Sequence, residues 1–272
     1  MKTALILFTL GLLLSTPLSV STSGNTITLT PFNHIVFSGE VSDTSVANAQ
    51  IKLGKLSAKL SRSDVIYLVL DTPGGSVTAG NQFIDFGKSL PQKIKPISIF
   101  AASMGYHMFQ SFDERIMIPS GTIMSHRVSL SGLSGQVPGE LVTRLNAIIS
   151  TSNQMDEVAA KRVGLSVKAY QALIHDELWL NGADAVSKGH ADRLANVRCS
   201  ETLLEGKREE QVNTMFGPVD VTFSTCPLIN GYLSFKFGKS TESKIVYATP
   251  RNNAEVVQEI KKARRKVVLE VF

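Results

Sequence analysis

The sequence has little cysteine, little tryptophan and little charge, and each shortage excludes a kind of site. Its 272 residues include two cysteines, one tryptophan and 19% charged residues, with a net charge of +5. The two cysteines and five scattered histidines do not supply the ligand set of a metal centre. No block of lysine and arginine alternates with aromatic residues, so the modest positive charge does not indicate nucleic-acid binding. We expect no metal, no other cofactor and no nucleic-acid partner.

The N-terminal segment 1–23 has the pattern of a secretory signal peptide. Lys2 precedes a leucine-rich apolar run over 4–14, and small polar residues follow over 15–23. The apolar run of about eleven to fifteen residues is short for a complete membrane span. We therefore expect an exported protein, periplasmic or secreted, from which the leader is cleaved. The alternative is an uncleaved leader that anchors the protein in the membrane.

Cys199 and Cys226 are an even pair, which in an oxidising compartment predicts one disulfide bond. The bond would close a loop of about 27 residues and contribute about 3–4 kcal/mol on the chain-entropy model. The alternative is two unrelated buried thiols.

Residues 24–198 alternate between buried strands and helices, which predicts an α/β domain. Continuous apolar runs at 65–70 and 97–100 are typical of strands covered on both faces. A loop of small residues follows each run, and a helix follows the loop. Functional loops should therefore gather at the carboxyl ends of the strands. A long amphipathic helix is predicted from about Pro138 to Val163.

Residues 199–272 are predicted to form a separate C-terminal extension. The segment 201–212 is polar, whereas 219–223 and 232–237 alternate like two strands of a half-exposed hairpin. Residues 252–268 have the pattern of a surface helix that docks through an apolar stripe. Binding to a membrane surface or to a partner protein is the alternative for this basic helix.

Ser103 lies between small residues where a strand gives way to a helix, in Ala101-Ala102-Ser103-Met104-Gly105. Such a turn suits a nucleophile, because it presents the hydroxyl at the start of a helix with little side-chain bulk around it. The upstream Pro73-Gly74-Gly75 loop can direct backbone N–H groups at the oxygen of an attacked carbonyl. The two motifs together predict acyl-transfer chemistry.

The serine needs a base, and His126 is the strongest of the five histidines. It follows the next predicted strand, where folds of this class bring catalytic groups beside the preceding glycine loop. His107, one helical turn after Ser103, is the rival. Its aromatic and apolar neighbours predict that it is buried in the core. The remaining histidines receive no catalytic role: His34, His175 and His190.

Three segments resemble the proteolytic subunit of Clp protease, a serine peptidase with the ClpP/crotonase fold: residues 35–41, 67–80 and 101–105. The resemblance extends from about residue 33 to residue 195. It implies an α/β spiral of β-β-α units, with the 138–163 helix as a protruding handle that joins rings of subunits. A homo-oligomer that cleaves peptides or unfolded polypeptide is therefore expected.

The same resemblance assigns roles to individual residues. Ser103 matches the nucleophile and His126 the general base, and the N–H groups of Gly75 and Met104 match the oxyanion hole. The acid is less clearly assigned. An alignment without a gap places Glu177 at its position, and a one-residue shift would place Asp176 there instead.

The leader and the extension are departures from the usual members of that family. An exported protein would meet little ATP, so we expect no Clp ATPase partner. Two other functions remain open at this point. One is a non-catalytic or specialised assembly protein with the same fold, and the other is a different acyl-transfer hydrolase, such as a thioesterase or crotonase-type enzyme.

Overall fold

The computed structural model describes residues 26–130, 132, 134–214, 217–237 and 240–243. The predicted signal peptide and the predicted helix over 252–268 lie outside the described residues. The strands are β1 Thr26–Leu29, β2 His34–Ser38, β3 Val65–Thr72, β4 Lys93–Ala102, β5 Ile116–Ser125, β6 Leu178–Asn181, β7 Arg193–Leu194, β8 Asn196–Cys199, β9 Lys207–Thr214, β10 Gly217–Ser224, β11 Tyr232–Phe237 and β12 Ser240–Ser243. The helices are α1 Asp43–Ser57, α2 Val77–Ser89, α3 Met104–Ser111, α4 Gly139–Val163, α5 Val167–Leu173, α6 Gly182–Ser187 and α7 Glu201–Glu205.

A six-stranded sheet organises the region before Cys199, which confirms the predicted α/β fold. Its order is β2-β3-β4-β5-β6, with β7 paired to β5. Strands β2 to β5 run parallel, whereas β6 is antiparallel to β5. The β3 run Leu68-Val69-Leu70 is fully buried, as expected for a strand covered on both faces. The carboxyl ends of β3, β4 and β5 therefore lie side by side.

Helix α1, which packs against the main sheet, shows how local sequence produces a helix with one buried face. Ser42 accepts a hydrogen bond from the Ser45 backbone, and the Ser45 side chain accepts one from the Ser42 backbone, which completes a capping box. Apolar residues at spacings of three and four predict a core-facing stripe of Val46, Ala49, Leu53, Leu56 and Leu60. The first four are buried and Leu60 is partly buried. Helical spacing and capping were sufficient here because both act within a few residues.

Helix α4 matches the predicted long helix and ends at Gly164, which adopts a left-handed φ of 73°. Only its C-terminal part is buried, through Met155, Asp156, Ala159 and Ala160. The N-terminal half instead exposes three apolar side chains at helical spacing: Val142, Leu145 and Ile149. An exposed apolar stripe of this kind is typical of a surface that binds another protein.

The extension after Cys199 contains a four-stranded antiparallel sheet in the order β12-β11-β10-β9. Its β10–β11 pair corresponds to the predicted hairpin. Strand β9 was missed, because its sequence Lys-Arg-Glu-Glu-Gln is charged and reads as a loop. Charge of this kind is tolerated on an edge strand, where it also discourages pairing with other chains.

A disulfide joins Cys199 to Cys226, as the even cysteine count predicted. Both residues belong to a second apolar cluster on the back of the main sheet, together with Leu203, Ile27 and Val69. The extension is therefore attached to the rest of the protein by a covalent bond and by apolar packing at the same place.

Within the described part of the chain, no helix combines the length and apolar character needed to cross a bilayer.

Candidate active site

The site begins at the turn between β4 and α3, where Ser103 adopts φ 53° and ψ −118°. A positive φ is unfavourable for a residue with a Cβ and persists only where the surroundings enforce it. Here the Ser103 N–H donates to the carbonyl of Met124 at 2.9 Å, and the Ser103 carbonyl accepts from the N–H of Tyr106 at 3.0 Å. The strained turn presents the hydroxyl at the start of a helix, as a nucleophile requires.

The glycine loop lies directly against this turn. A Cβ added to Gly74, which has φ +92°, would lie 2.6 Å from the Ala102 carbonyl oxygen and 2.7 Å from the Ser103 Cβ. A Cβ on Gly105 would lie 2.5 Å from Thr72 Cγ2. The two sequence motifs are thus brought together in space, and the absence of side chains allows the contact.

His126 follows β5 directly, and its Nε2 lies 2.8 Å from the Ser103 Oγ. The topology explains the contact, because β4 and β5 are parallel neighbours and their carboxyl ends meet. The 2.8 Å separation is a hydrogen bond in which the imidazole can accept the hydroxyl proton. This is the geometry of a nucleophile and its general base.

His107, the rival base, lies in α3 and is 7% exposed. Burial, together with the nearby His126, lowers the pKa of His107 to about 4. An imidazole with this pKa is a weak base, and within the described residues no hydrogen bond joins it to Ser103. The geometry therefore favours His126 over His107.

The strand register gives a physical reason to place the acid at Glu177. Strands β5 and β6 are antiparallel, and their register ends with Ser125 opposite Leu178, so continuing it by one position would bring Glu177 toward His126. Directly opposite residues in such a pair lie on the same face and within reach of one another. Asp176 is one position further from the sheet.

Neither carboxylate contacts the imidazole in this structure. Glu177, which has φ 69°, accepts a hydrogen bond from Trp179 Nε1 at 2.9 Å. The Asp176 side chain is 93% exposed and lies 2.7 Å from His175 Nδ1. Among the described residues, no carboxylate is hydrogen-bonded to His126. The structure thus joins Ser103 and His126 but leaves both candidate acids on other partners.

The N–H groups of Gly75 and Met104 are suited to stabilise an oxyanion. Val41 holds the glycine loop, because its N–H donates to the Gly74 carbonyl at 2.8 Å and its carbonyl accepts from Ser76 at 2.7 Å. In the described backbone, these bonds leave the Gly75 N–H without a carbonyl acceptor. Met104 is the first residue of α3, where backbone N–H groups have no partner within the helix.

Four buried polar side chains behind the site were not recognised from the sequence as part of it: Ser125, Tyr170, Tyr106 and His190. His190 received no catalytic role from the sequence, but it is only 2% exposed and its Nδ1 lies 2.7 Å from the Tyr106 hydroxyl. No sequence signal identifies such pairs, because the partners are up to 84 residues apart.

Within the described residues, no group of histidine, cysteine, aspartate or glutamate side chains is arranged to hold a metal ion.

A family model described as Clp protease matches residues 25–198. The matched region is more than half of the chain and includes each of the proposed catalytic and oxyanion-hole residues. It ends one residue before Cys199, where the extension begins.

Proposed function

The chain belongs to the Clp protease family, and on that premise we propose that it is an exported serine endopeptidase that acts without an ATPase partner. The single observation that supports the activity most directly is the 2.8 Å hydrogen bond between His126 Nε2 and the Ser103 hydroxyl. Its substrates are peptides or unfolded polypeptide segments, because the nucleophile attacks a peptide carbonyl that must reach the turn between β4 and α3.

The reaction follows from the roles of these groups. His126 accepts the Ser103 proton as the hydroxyl oxygen forms a bond to the peptide carbonyl carbon. The N–H groups of Gly75 and Met104 stabilise the resulting oxyanion. His126 then donates the proton to the departing amine as the C–N bond breaks, which leaves an acyl-enzyme. A water molecule, deprotonated by His126, hydrolyses the ester and restores the serine.

We assign the acid of the triad to Glu177, on the support of the strand register. Rotation of its side chain away from Trp179 would bring the carboxylate toward His126, where it would orient the ring and stabilise the imidazolium. Comparison of Glu177→Gln with Asp176→Asn tests the assignment. The first should lower kcat by at least ~10²-fold, and the second should leave kcat near the wild-type value. The reverse ranking would assign the role to Asp176.

The exposed stripe of α4 supports a homo-oligomer, which is the ring assembly expected of this family. We expect Ile149→Asp to reduce the particle mass measured by light scattering, since it places a charge in the proposed contact. Val158→Asp is the matched control. Val158 is also exposed, and it lies nine residues or two and a half turns further along, on the opposite helix face. Equal masses for wild type and Ile149→Asp would exclude this surface.

Export is supported by the leader pattern of residues 1–23 and by the disulfide, which persists in oxidising compartments. ATP is scarce there, so we propose cleavage of loose segments without an ATPase. Fractionation of cells that produce the full chain should place it outside the cytoplasm, with a mass that shows whether the leader is removed. A cytoplasmic protein with free thiols would contradict this part of the proposal.

A fluorophosphonate probe tests the activity itself. Wild type should be labelled and should cleave an unstructured polypeptide without ATP, whereas Ser103→Ala and His126→Ala should do neither. An assembled wild-type protein that is not labelled would refute the peptidase. Labelling without cleavage of any polypeptide would instead indicate another acyl-transfer hydrolase.

A further inference from the structure

A chain of buried hydroxyl and imidazole groups runs behind the catalytic pair. The Ser125 Oγ lies 2.8 Å from the Tyr170 hydroxyl, and the Tyr106 hydroxyl lies 2.7 Å from His190 Nδ1. The two phenols are close enough to influence each other, because Tyr170 adds to the effect of burial in raising the pKa of Tyr106. Ser125, Tyr170 and Tyr106 are 0% exposed. We call this set, with His190, the tyrosine chain.

Two members of the tyrosine chain, Ser125 and Tyr106, contact or adjoin a segment that carries a catalytic residue. Ser125 is the last residue of β5 and directly precedes His126. Tyr106 lies in the first turn of α3, and its N–H donates to the carbonyl of Ser103 at 3.0 Å. A shift of either phenol would therefore move the backbone beside the base or beside the nucleophile.

The far end of the tyrosine chain is itself anchored. Gln110 Nε2 donates to the His190 carbonyl at 2.8 Å, and Arg115 donates to the Gln110 side-chain oxygen at 2.6 Å. Arg115 also binds Asp192 through Nε at 3.1 Å and Nη2 at 2.6 Å. The turn at 190–192 is thereby fixed to both α3 and the start of β5.

The members of the tyrosine chain are uncharged near neutral pH. Burial raises the pKa of Tyr170 to about 12 and raises that of Tyr106 well above its ordinary value. Burial, assisted by Arg115 and Lys188, lowers the pKa of His190 to about 4. The contacts are therefore hydrogen bonds between neutral groups, which are directional and become costly to break once buried.

The catalytic pair needs such support in this structure. Within the described residues, no carboxylate is hydrogen-bonded to His126, so the ring is not oriented in the way that a triad acid orients it. The position of His126 instead depends on the end of β5. That end is held by the Ser103–Met124 backbone bond and by the Ser125–Tyr170 contact.

We propose that Tyr170 and Tyr106 are positioning residues, which hold Ser125 and the first turn of α3 so that His126 and Ser103 remain within hydrogen-bond distance. This inference rests on the proposed function, because it assigns a role to groups that support the proposed peptidase site. Neither phenol touches the substrate.

The kinetic test uses Tyr170→Phe, Ser125→Ala and the double variant on the full chain. Tyr170→Phe should lower kcat and the rate of fluorophosphonate labelling by ~10-fold with KM within about twofold of wild type, because misplacement affects the chemical step. The double variant should lose no more than the worse single variant, since both changes remove the same contact. Tyr232→Phe, a buried tyrosine in the extension, is the matched control and should retain wild-type kcat.

If Tyr170→Phe does not fold, Ser125→Ala can be used instead. It removes the same hydrogen bond by changing the smaller of the two side chains. A lower melting temperature with wild-type kcat and labelling rate, in whichever variant folds, would overturn the proposal and leave the tyrosine chain as core packing alone. Additive losses in the double variant would also contradict it.

Hydrogen exchange gives a readout that does not depend on activity. Tyr170→Phe should accelerate exchange by ~10-fold in segments 103–107 and 122–126, with no change at 207–212. Unchanged exchange in the first two segments would overturn the anchoring role. If wild type is not labelled by the probe, the proposed function fails, and the exchange result still decides whether the tyrosine chain holds the two segments.

Discussion

The region before Cys199 and the extension after it are stabilised in different ways. The first contains a contiguous core of thirty buried residues formed by parallel strands and the helices that cover them. Among the described residues, the extension has a cluster of only five: Val212, Val219, Val221, Tyr232 and Phe235. Such a small core buries little apolar surface, so the extension depends more on its attachment at the disulfide.

This difference in core size indicates that the active site belongs to the region before Cys199. The large core fixes the ends of β3, β4 and β5, and the strained Ser103 turn can persist because many contacts enforce it. In the described part of the extension, the buried cluster is much smaller and gives less rigid support. Substitutions at the site in the region before Cys199 should therefore reduce activity. Substitutions in the extension should reduce only its local stability.

The largest expected contrast is between Ser103→Ala and Phe235→Ala. The first should lower turnover by at least ~10³-fold without unfolding the protein. The second removes a buried ring from the extension and should destabilise it by about 3–5 kcal/mol while kcat stays near wild type. Peptide cleavage and thermal unfolding measure the two effects. Loss of activity in Phe235→Ala would show that the extension helps to form the site.

A pair of glycine substitutions tests the same contrast between loss of activity at the site and loss of stability in the extension. Gly74→Ala would place a methyl group 2.6 Å from the Ala102 carbonyl oxygen, so it should lower kcat by ~10²-fold by displacing the nucleophile turn. Gly217→Ala has a similar backbone strain, with φ +102°, but its added Cβ would have no atom of the described residues within 4 Å beyond its chain neighbours. It should cost about 1–3 kcal/mol in the extension and leave kcat unchanged. Equal kinetics for both variants would disprove the contact argument.

Removal of the disulfide tests the attachment. The bond closes 27 residues, so Cys199→Ser combined with Cys226→Ser should destabilise the extension by about 3.5 kcal/mol on the chain-entropy model. Hydrogen exchange over 207–212 and 219–224 measures this change. Fluorescence of the single tryptophan, Trp179, reports on the region that contains the site and should show little change. A matching loss in both signals would mean that the two regions unfold together.

The smallest expected difference between the two regions is in how their stability depends on pH. His107 and His190 have folded pKa values of about 4, below the ordinary value of 6.5. Between these values the unfolded chain binds protons that the folded chain does not. The two histidines therefore contribute fully to the free energy of unfolding above pH 6.5, and this contribution is lost as the pH falls toward 4. The extension has no histidine after residue 199 and should not share this dependence.

A matched pair of variants checks the acid prediction by Trp179 fluorescence during unfolding at pH 7, 5.5 and 4.5. His190→Gln should flatten the fall in unfolding free energy with decreasing pH. Phe235→Ala should leave the slope unchanged, because it removes no titratable group and lies in the extension. An unaltered slope in His190→Gln would contradict the burial argument.

Prediction from sequence was accurate where the determining interactions are local or strongly periodic. The cap and buried face of α1, the buried run of β3 and the extent of α4 follow from spacing within one element. It failed at β9, where charged residues occupy an edge strand. The Pro119-Ser120-Gly121 sequence likewise predicts a break between two apolar segments, 115–118 and 122–126, whereas β5 is continuous through it. Pairing with neighbouring strands outweighed local propensity in both places.

The Ser103 turn and the Gly74-Gly75 loop can be recognised in the amino-acid sequence, because a tight, strained turn requires small residues around it. The contact of His126 with Ser103 and that of Glu177 with Trp179 arise from the three-dimensional fold. The same is true of the buried Ser125–Tyr170 and Tyr106–His190 contacts behind the site. Those contacts depend on strand order and register and on how helices cross the sheet, which join residues far apart in the sequence.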